Sequence, residues 1–367
     1  MPRPTAQRPS NESMIILSHL LLSSRDDNTS FAELDSGIAD ISLNQFEDLI
    51  TLADSNHVIV RGLDVFLKLM RNAQDNIRVA WAANTLAAEH ARIENAISFV
   101  QAICAAFEEE GYDVTVIKSL DHWPDLGSDL DLYTNANSEE IAQLMSRRFE
   151  AQIAPRSWGD RLARKWNFLL PGLPEAVEIH MGRLGQTGEQ VTLASRLPGR
   201  SRSVLIGEHT FRVPSASDRI MISTMQRMYR HFYFRLCDIV DSAALCESGD
   251  IDYSDLRASA SAAGIWEGVA TYLVIVSDYV EQYRGTGLAL PQFVTAKARF
   301  GGDEVYFGRG FLRVPILPQS AGLYGTQLTG LLRKRELHNS ARLGLLPWLA
   351  TAAVVGQKIT GSDKGIW

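Results

Sequence analysis

The stretch that most constrains the fold is residues 114–134, VTVIKSLDHWPDLGSDLDLYT. Its β-branched, apolar start predicts a strand, and Pro124 and Gly127 predict a loop after it. A second strand is predicted around Asp129 and Asp131, because these two acids alternate with leucines. The two carboxylates should therefore point to one face of the sheet, roughly 7 Å apart, while the leucines point into the core.

The Asp-x-Asp pair has two interpretations. It could lie on the wet face of an edge strand, or it could be half of a site for a hard divalent cation, which prefers oxygen ligands. Two further features favour the cation site. Lys118 and Ser119 end the first strand, and Glu178 alternates with apolar residues in a third predicted strand. An acid in an apolar strand is costly unless it is paired or metal-bound, and a third carboxylate would complete a two-metal phosphoryl-transfer site.

This order of residues resembles the signature of the nucleotidyltransferase superfamily with the DNA polymerase β-like fold. That signature is a Gly-Ser or Gly-Gly pair, then Asp-x-Asp or Asp-x-Glu, then a third acid on a later strand. Residues 218–246 also resemble a little-characterised bacterial branch of the superfamily, and the resemblance covers about residues 99–279. The chain departs from the pattern at Lys118, which stands where the family has glycine. We therefore expect its backbone to approach phosphates less closely.

The resemblance implies an α+β fold, with a small mixed β-sheet nucleotidyltransferase core flanked by N-terminal and C-terminal helical regions. Changes in composition and the positions of turn and helix-end residues divide the chain into five predicted parts. These are a disordered tail (1–13), an N-terminal helical region (14–110), the catalytic core (111–213), a helical domain (214–285) and a C-terminal region of unclear role (286–367). Ser42 and Gln45 form a predicted capping box in the second of these parts. A loop is predicted over 182–202, because Gly, Ser and Arg dominate there.

One continuous helix is predicted over residues 214–246, with methionines and other apolar residues recurring at three and four. Beside that stripe runs a polar row of Arg227, His231, Arg235 and Asp238. The row is either a solvated helix face with weak ion pairs or the wall of a cleft. In the second interpretation an arginine meets phosphate, and His231 or Asp238 meets the acceptor.

The resemblance implies a metal-dependent enzyme that moves a nucleoside monophosphate from an NTP such as ATP to an acceptor hydroxyl. Two Mg²⁺ ions, with Mn²⁺ as the alternative, would support an in-line displacement. The implied roles are as follows: catalytic residues and metal ligands Asp129, Asp131 and Glu178; nucleotide-binding residues Lys118, Ser119, Lys165 and Arg235; acceptor-contacting or supporting residues His180, His231 and Asp238.

Composition narrows the partners. The net charge of −7 argues against general nucleic-acid binding, so a small-molecule or protein acceptor is favoured over RNA. The three cysteines have no Cys-x-x-Cys spacing and fit core residues in a reducing cytoplasm. The apolar run at 14–22 predicts a helix rather than a signal peptide, and the run at 343–355 is too short to span a bilayer.

Three alternatives stay open. The chain could be a non-catalytic binding or assembly protein on the same fold with a vestigial site, which the missing glycine beside Ser119 would explain. It could be a nucleotidyltransferase toxin that modifies tRNA. A glycosyltransferase with an Asp-x-Asp motif is the third alternative, although a nucleotide-binding α/β domain should then precede the motif, where this sequence predicts helices.

Overall fold

The computed structural model describes residues 11–23, 38, 41–349 and 351–352. It has the predicted α+β architecture, in which helices surround a mixed sheet of five strands. The helices before the sheet are α1 Asn11–Leu22, α2 Leu43–Ser55, α3 Ile59–Asn72 and α4 Asn76–Glu109. The predicted capping box is confirmed, because Ser42 caps α2 and the Gln45 side chain returns to the Ser42 backbone. The predicted disordered tail is wrong at its end, since α1 already begins at Asn11; residues 1–10 lie outside the described part.

The central sheet contains the motif strands. Its strands are β1 Val114–Val116, β2 Asp129–Thr134, β3 Gln152–Ile153, β4 Lys165–Leu169 and β5 Ala176–Met181, in the order β1-β2-β5-β4-β3. Only the β2–β5 pair of this sheet is parallel. Leu130 and Leu132 of β2 are fully buried, which confirms the predicted alternation. The helices α5 Ser138–Phe149 and α6 Trp158–Ala163 connect these strands.

The segment after β5 contains a helix that the sequence analysis did not predict. Helix α7 Val191–Arg200 lies inside the predicted loop 182–202, and a hairpin of β6 Arg202–Ile206 and β7 His209–Val213 follows it. Leu193, Ala194 and Leu197 recur at helical spacing and are buried. The prediction failed because the Gly- and Arg-rich flanks concealed this short apolar face.

The predicted continuous helix over 214–246 is wrong. Helix α8 Ala216–Gln226 passes into a π-helical turn, Arg227–His231, then into strand β8 Tyr233–Phe234, before α9 Leu236–Glu247 begins. Phe232 between them is left-handed, with φ 55°. Strand β8 pairs with β10, which lies far along the chain, so the interruption depends on a contact that local spacing cannot reveal. The polar row is therefore not one helix face.

The described chain continues beyond α9 with further helices and short strands. Its elements are α10 Tyr253–Ala262, α11 Trp266–Arg284, α12 Gln292–Thr295, β9 Tyr306–Gly308, β10 Phe311–Arg313, α13 Ala321–Arg333 and α14 Leu337–Gly344. Strands β8, β10 and β9 form a small antiparallel sheet. Among the described residues, no helix is long and apolar enough to cross a membrane. The apolar run at 343–355 extends past the described residues, which end at 352.

Candidate active site

The parallel pairing of β2 with β5 places the motif acids side by side. In this register Asp131 lies opposite Glu178, and Tyr133 lies opposite His180. Parallel neighbours lie about 4.8 Å apart and share a face when they are in register. The prediction that Glu178 lies on a strand near the Asp-x-Asp pair is confirmed. We call the side chains of Asp131, Glu178, His180, Lys118 and Lys165 the strand site.

Two lysines neutralise the acids of the strand site. The Lys118 ammonium contacts the Asp131 carboxylate and lies 3.6 Å from Oε1 of Glu178. Lys165 Nζ lies 2.9 Å from Oε2 of Glu178 and 2.9 Å from Oδ1 of Asp160. Burial by itself would raise the pKa of Glu178, but Lys118, a hydrogen bond from His180 and Lys165 outweigh it and hold that pKa well below its usual range. Glu178 is therefore ionised at neutral pH.

His180 completes the cluster on the same face of β5. Its Nε2 lies 2.8 Å from Oε1 of Glu178 and 3.4 Å from Oδ1 of Asp131. One ligand-type atom from each of these three residues lies within 4.8 Å of the other two. The prediction that His180 orients Glu178 is consistent with this contact.

The turn at the end of β1 holds Lys118 in a backbone conformation that favours glycine. Lys118 has φ 61° and ψ −57°, and the Ser119 N–H donates to the Ile117 carbonyl at 2.6 Å. This is a γ-turn in its rare, strained form. The positive φ is of the kind that glycine adopts without steric cost. The chain therefore keeps a strained backbone at Lys118 while the ammonium contacts the acids, and strain of this kind clusters at functional sites.

Ser119 braces β2 in this structure. Its Oγ donates to the Asp129 carbonyl at 3.1 Å and accepts from the Asp131 N–H at 2.7 Å, and the residue is buried. The predicted contact between Ser119 and a phosphate would require the first of these bonds to be exchanged, and it stays a prediction.

Asp129 lies at the rim of the site and its side chain is exposed. Surrounding protein atoms, and after them the charges of Asp131 and Glu178, raise the pKa of Asp129. Asp129 is therefore close enough to sense the two inner acids, although the three-residue ligand cluster does not include it. Its predicted role as a metal ligand stays a prediction.

The donor set fits a hard cation. Four carboxylates, those of Asp129, Asp131, Asp160 and Glu178, face two lysines, which leaves the site with excess negative charge. Oδ1 of Asp131 is buried and contacts Lys118 without a properly directed hydrogen bond. Mg²⁺ is usually held by one or two carboxylates together with substrate phosphates. Asp131 and Glu178 supply two such carboxylates.

A small cavity of about 40 Å³ lies beside the strand site. Lys118 and His180 of the strand site line it, together with Arg230 and Gln226. Burial, and after it the charges of Arg230 and Arg227, hold the pKa of His231 well below its usual range. Positive charge next to the acids suits a triphosphate. Arg230 was not among the predicted site residues; its place in the polar segment after α8 was the only signal.

The residues of the predicted polar row do not all make the same kind of contact. Arg227 is buried, and its Nε lies 2.7 Å from Oδ2 of Asp238. The same carboxylate oxygen accepts from the Arg235 N–H at 2.7 Å, so Asp238 caps α9. Arg235 Nη1 lies 3.5 Å from Nδ1 of His57. Arg227 and Asp238 therefore hold the fold around the interrupted helix, and the acceptor role of Asp238 stays a prediction.

Asp160, which pairs with Lys165, was not among the predicted site residues. Ser157 and Asp160 form a capping box at the start of α6, with the Ser157 N–H donating to Oδ2 of Asp160 at 2.9 Å. The Ser-x-x-Asp spacing could have revealed the cap. The contact of Asp160 with Lys165 depends on how the chain runs from α6 into β4. The spacing of the cap residues does not encode that path.

Comparison with known proteins adds no assignment. No protein-family model matches this chain, and no curated protein matches its sequence.

Proposed function

We propose that the chain is a Mg²⁺-dependent nucleotidyltransferase that moves a nucleoside monophosphate from an NTP to a hydroxyl group. The observation that carries this proposal is the in-register pairing of Asp131 with Glu178 on one sheet face, with Asp129 at the rim. A polymerase β-like site uses the same combination of an Asp-x-Asp strand and a third acid from a neighbouring strand. Lys118 and Arg230, which line the small cavity beside the strand site, would supply positive charge for a triphosphate.

Each residue of the strand site has a role in this proposal. Asp129 and Asp131 would hold the ion on the triphosphate, and Glu178 would complete a second metal site or act as general base. When bound, Mg²⁺ neutralises charge on the attacking and leaving oxygens of an in-line displacement. The low pKa of Glu178 makes it a weak proton acceptor, which favours the ligand role over the role of general base. Lys118 and Lys165 hold Glu178 ionised, and Arg230 would contact phosphate.

A second candidate function has its own supporting observation. The Lys118 ammonium lies against Asp131, where a cation ligated by that carboxylate would have to bind. A site that binds no metal would keep a side-chain cation such as the Lys118 ammonium at this position. The alternative is therefore a non-catalytic binding or assembly protein on the same fold. The acceptor stays open between a small molecule and a protein, both favoured over RNA because of the net charge of −7.

Nucleotide binding separates the two candidates without any assumption about the acceptor. The experiment is a calorimetric titration of ATP, CTP, GTP and UTP into the full chain, with and without Mg²⁺. We expect saturable, Mg²⁺-dependent binding of at least one NTP, and its loss in Asp131→Asn with the thermal unfolding transition retained. Asp64→Asn, which changes an exposed aspartate on α3, is the matched control and should bind as the wild type does. Absence of binding for all four NTPs would favour the non-catalytic alternative.

A further inference from the structure

A second cluster of metal-ligand side chains lies apart from the strand site. It consists of His57, His122 and Cys237, and we call it the junction cluster. One donor atom from each lies within 4.8 Å of the other two. His57 is in the turn between α2 and α3, His122 ends the 3-10 turn Ser119–His122, and Cys237 is in the first turn of α9. The cluster therefore joins the N-terminal helices, the loop after β1 and the region after the sheet.

We propose that the junction cluster binds a divalent transition-metal ion of the zinc type, through imidazole nitrogens of His57 and His122 and the thiolate sulfur of Cys237. The first observation that supports this proposal is the spacing of the donor atoms. Sγ of Cys237 lies 3.8 Å from Nε2 of His122. Tetrahedral Zn²⁺ with ordinary Zn–S and Zn–N bond lengths places such a pair about 3.6 Å apart.

The second observation that supports the proposal is the set of contacts that His122 makes. Its Nδ1 lies 2.5 Å from Oδ2 of the buried Asp241, which directs Nε2 towards Cys237. Arg61 in turn donates to Oδ1 of Asp241 and to Oδ2 of Asp125, both at 2.6 Å. A carboxylate that fixes the second nitrogen of a ligating histidine is typical of zinc centres, where it orients the ring.

The chemistry of the donors separates this site from the strand site. Thiolate and imidazole ligands select Zn²⁺ or a similar ion, whereas carboxylates select Mg²⁺. Cys237 is fully buried, so a substrate has no access to it, and a role as nucleophile is disfavoured.

The cation Arg235 contacts one of the donor residues directly. Its Nη1 lies 3.5 Å from Nδ1 of His57, which is long for a hydrogen bond. An ion in the cluster would replace this contact. Three protein ligands leave a fourth position for water, as in zinc sites that are not fully enclosed by protein.

The test uses the full chain with Cys104→Ala and Cys246→Ala, in which Cys237 is the only cysteine. After removal of bound metal with a chelator, Co²⁺ is added and the near-ultraviolet spectrum is recorded. We expect a thiolate-to-cobalt charge-transfer band that saturates at about one ion per chain. Zn²⁺ should bleach the band, and Mg²⁺ should leave it unchanged. Mass spectrometry of protein purified without added metal should show bound zinc.

Two variants complete the test. His57→Gln should weaken Co²⁺ binding at least tenfold, while Asp131→Asn should retain the band even if nucleotide binding is lost. The outcome of this test is thus independent of whether the nucleotidyltransferase proposal holds. A folded single-cysteine protein that shows no charge-transfer band would overturn the inference. So would a band that is unaffected by His57→Gln.

Discussion

The strand site and the junction cluster each bring three metal-ligand side chains together, but by different routes. At the strand site, two neighbouring strands place acids on one face, and lysines lie against those acids. At the junction cluster, three separate segments each supply one soft or borderline donor, and the nearby acids pair with Arg61 instead. The first site suits an ion shared with phosphates, and the second suits an ion held by three protein side chains and a water.

The comparison teaches that charge around each site decides which ion it can hold. Lys118 and Lys165 offset part of the negative charge of the strand site, which in the proposed function would let a triphosphate bind together with its Mg²⁺. At the junction cluster Arg61 engages Asp125 and Asp241, and Asp241 contacts His122, so it would orient this ligand without binding the ion itself. The following predictions test this division, beginning with the largest effect.

Glu178→Gln should abolish turnover while NTP affinity stays within a few-fold of the wild type. The amide keeps the shape of the side chain but loses the charge that pairs with Lys165. Product formation and calorimetric NTP binding measure the two quantities separately. Glu208→Gln, an exposed change between β6 and β7, is the control. A large loss of affinity would mean that Glu178 acts mainly in nucleotide binding, and unchanged turnover would remove it from the site.

Arg61→Met should lower the free energy of unfolding by about 3–5 kcal/mol, because it leaves the buried carboxylates of Asp125 and Asp241 without their cation. Urea denaturation followed by circular dichroism measures this. Arg147→Met is the matched control, since Arg147 pairs with Glu110 at the surface and such a pair is worth about 0–1 kcal/mol. Similar losses in the two variants would show that the Arg61 network does not support the junction cluster.

Lys118→Gly should be more stable than Lys118→Ala by about 1–3 kcal/mol, because only glycine relaxes at φ 61°. Both variants lose the same ammonium, so their difference isolates the backbone of the γ-turn. Urea denaturation of the two proteins gives this difference. At Glu94, an exposed position of α4, the order should reverse, with alanine more stable by about 1 kcal/mol. Equal stability of the two Lys118 variants would contradict the strained turn.

The smallest expected effect concerns the positive charges of Arg230, Arg227 and Arg235 around His231. Burial and these positive charges depress the pKa of His231. Below the ordinary histidine pKa near 6.5, the unfolded state then binds more protons than the folded state. Stability should therefore fall as the pH drops from 6.5 to 5, and His231→Gln should reduce this slope by at most about 1.4 kcal/mol per pH unit.

Denaturation series at several pH values measure that slope. His90→Gln changes an exposed histidine on α4 and should alter it little. If His231→Gln leaves the slope as steep as in the wild type, burial and the nearby arginines do not depress the pKa of His231 in the folded protein.

The sequence by itself determined the elements of the strand site. Alternation in a strand is a local property of the backbone, so Asp129, Asp131 and Glu178 could be assigned to strand faces from their neighbours alone. The fold class followed from the family resemblance that these residues carry. The functional roles rest on a resemblance, and they stay predictions until nucleotide binding is measured.

Tertiary structure decided the contacts that depend on distant segments. Asp160 reaches Lys165, β8 interrupts the predicted helix by pairing with β10, and Cys237 meets His122 from 115 positions away. Periodicity describes which side of an element is buried, but not which other element lies against it. That choice is made by packing of the whole chain, and for this reason a cysteine that reads as a core residue became part of a candidate metal site.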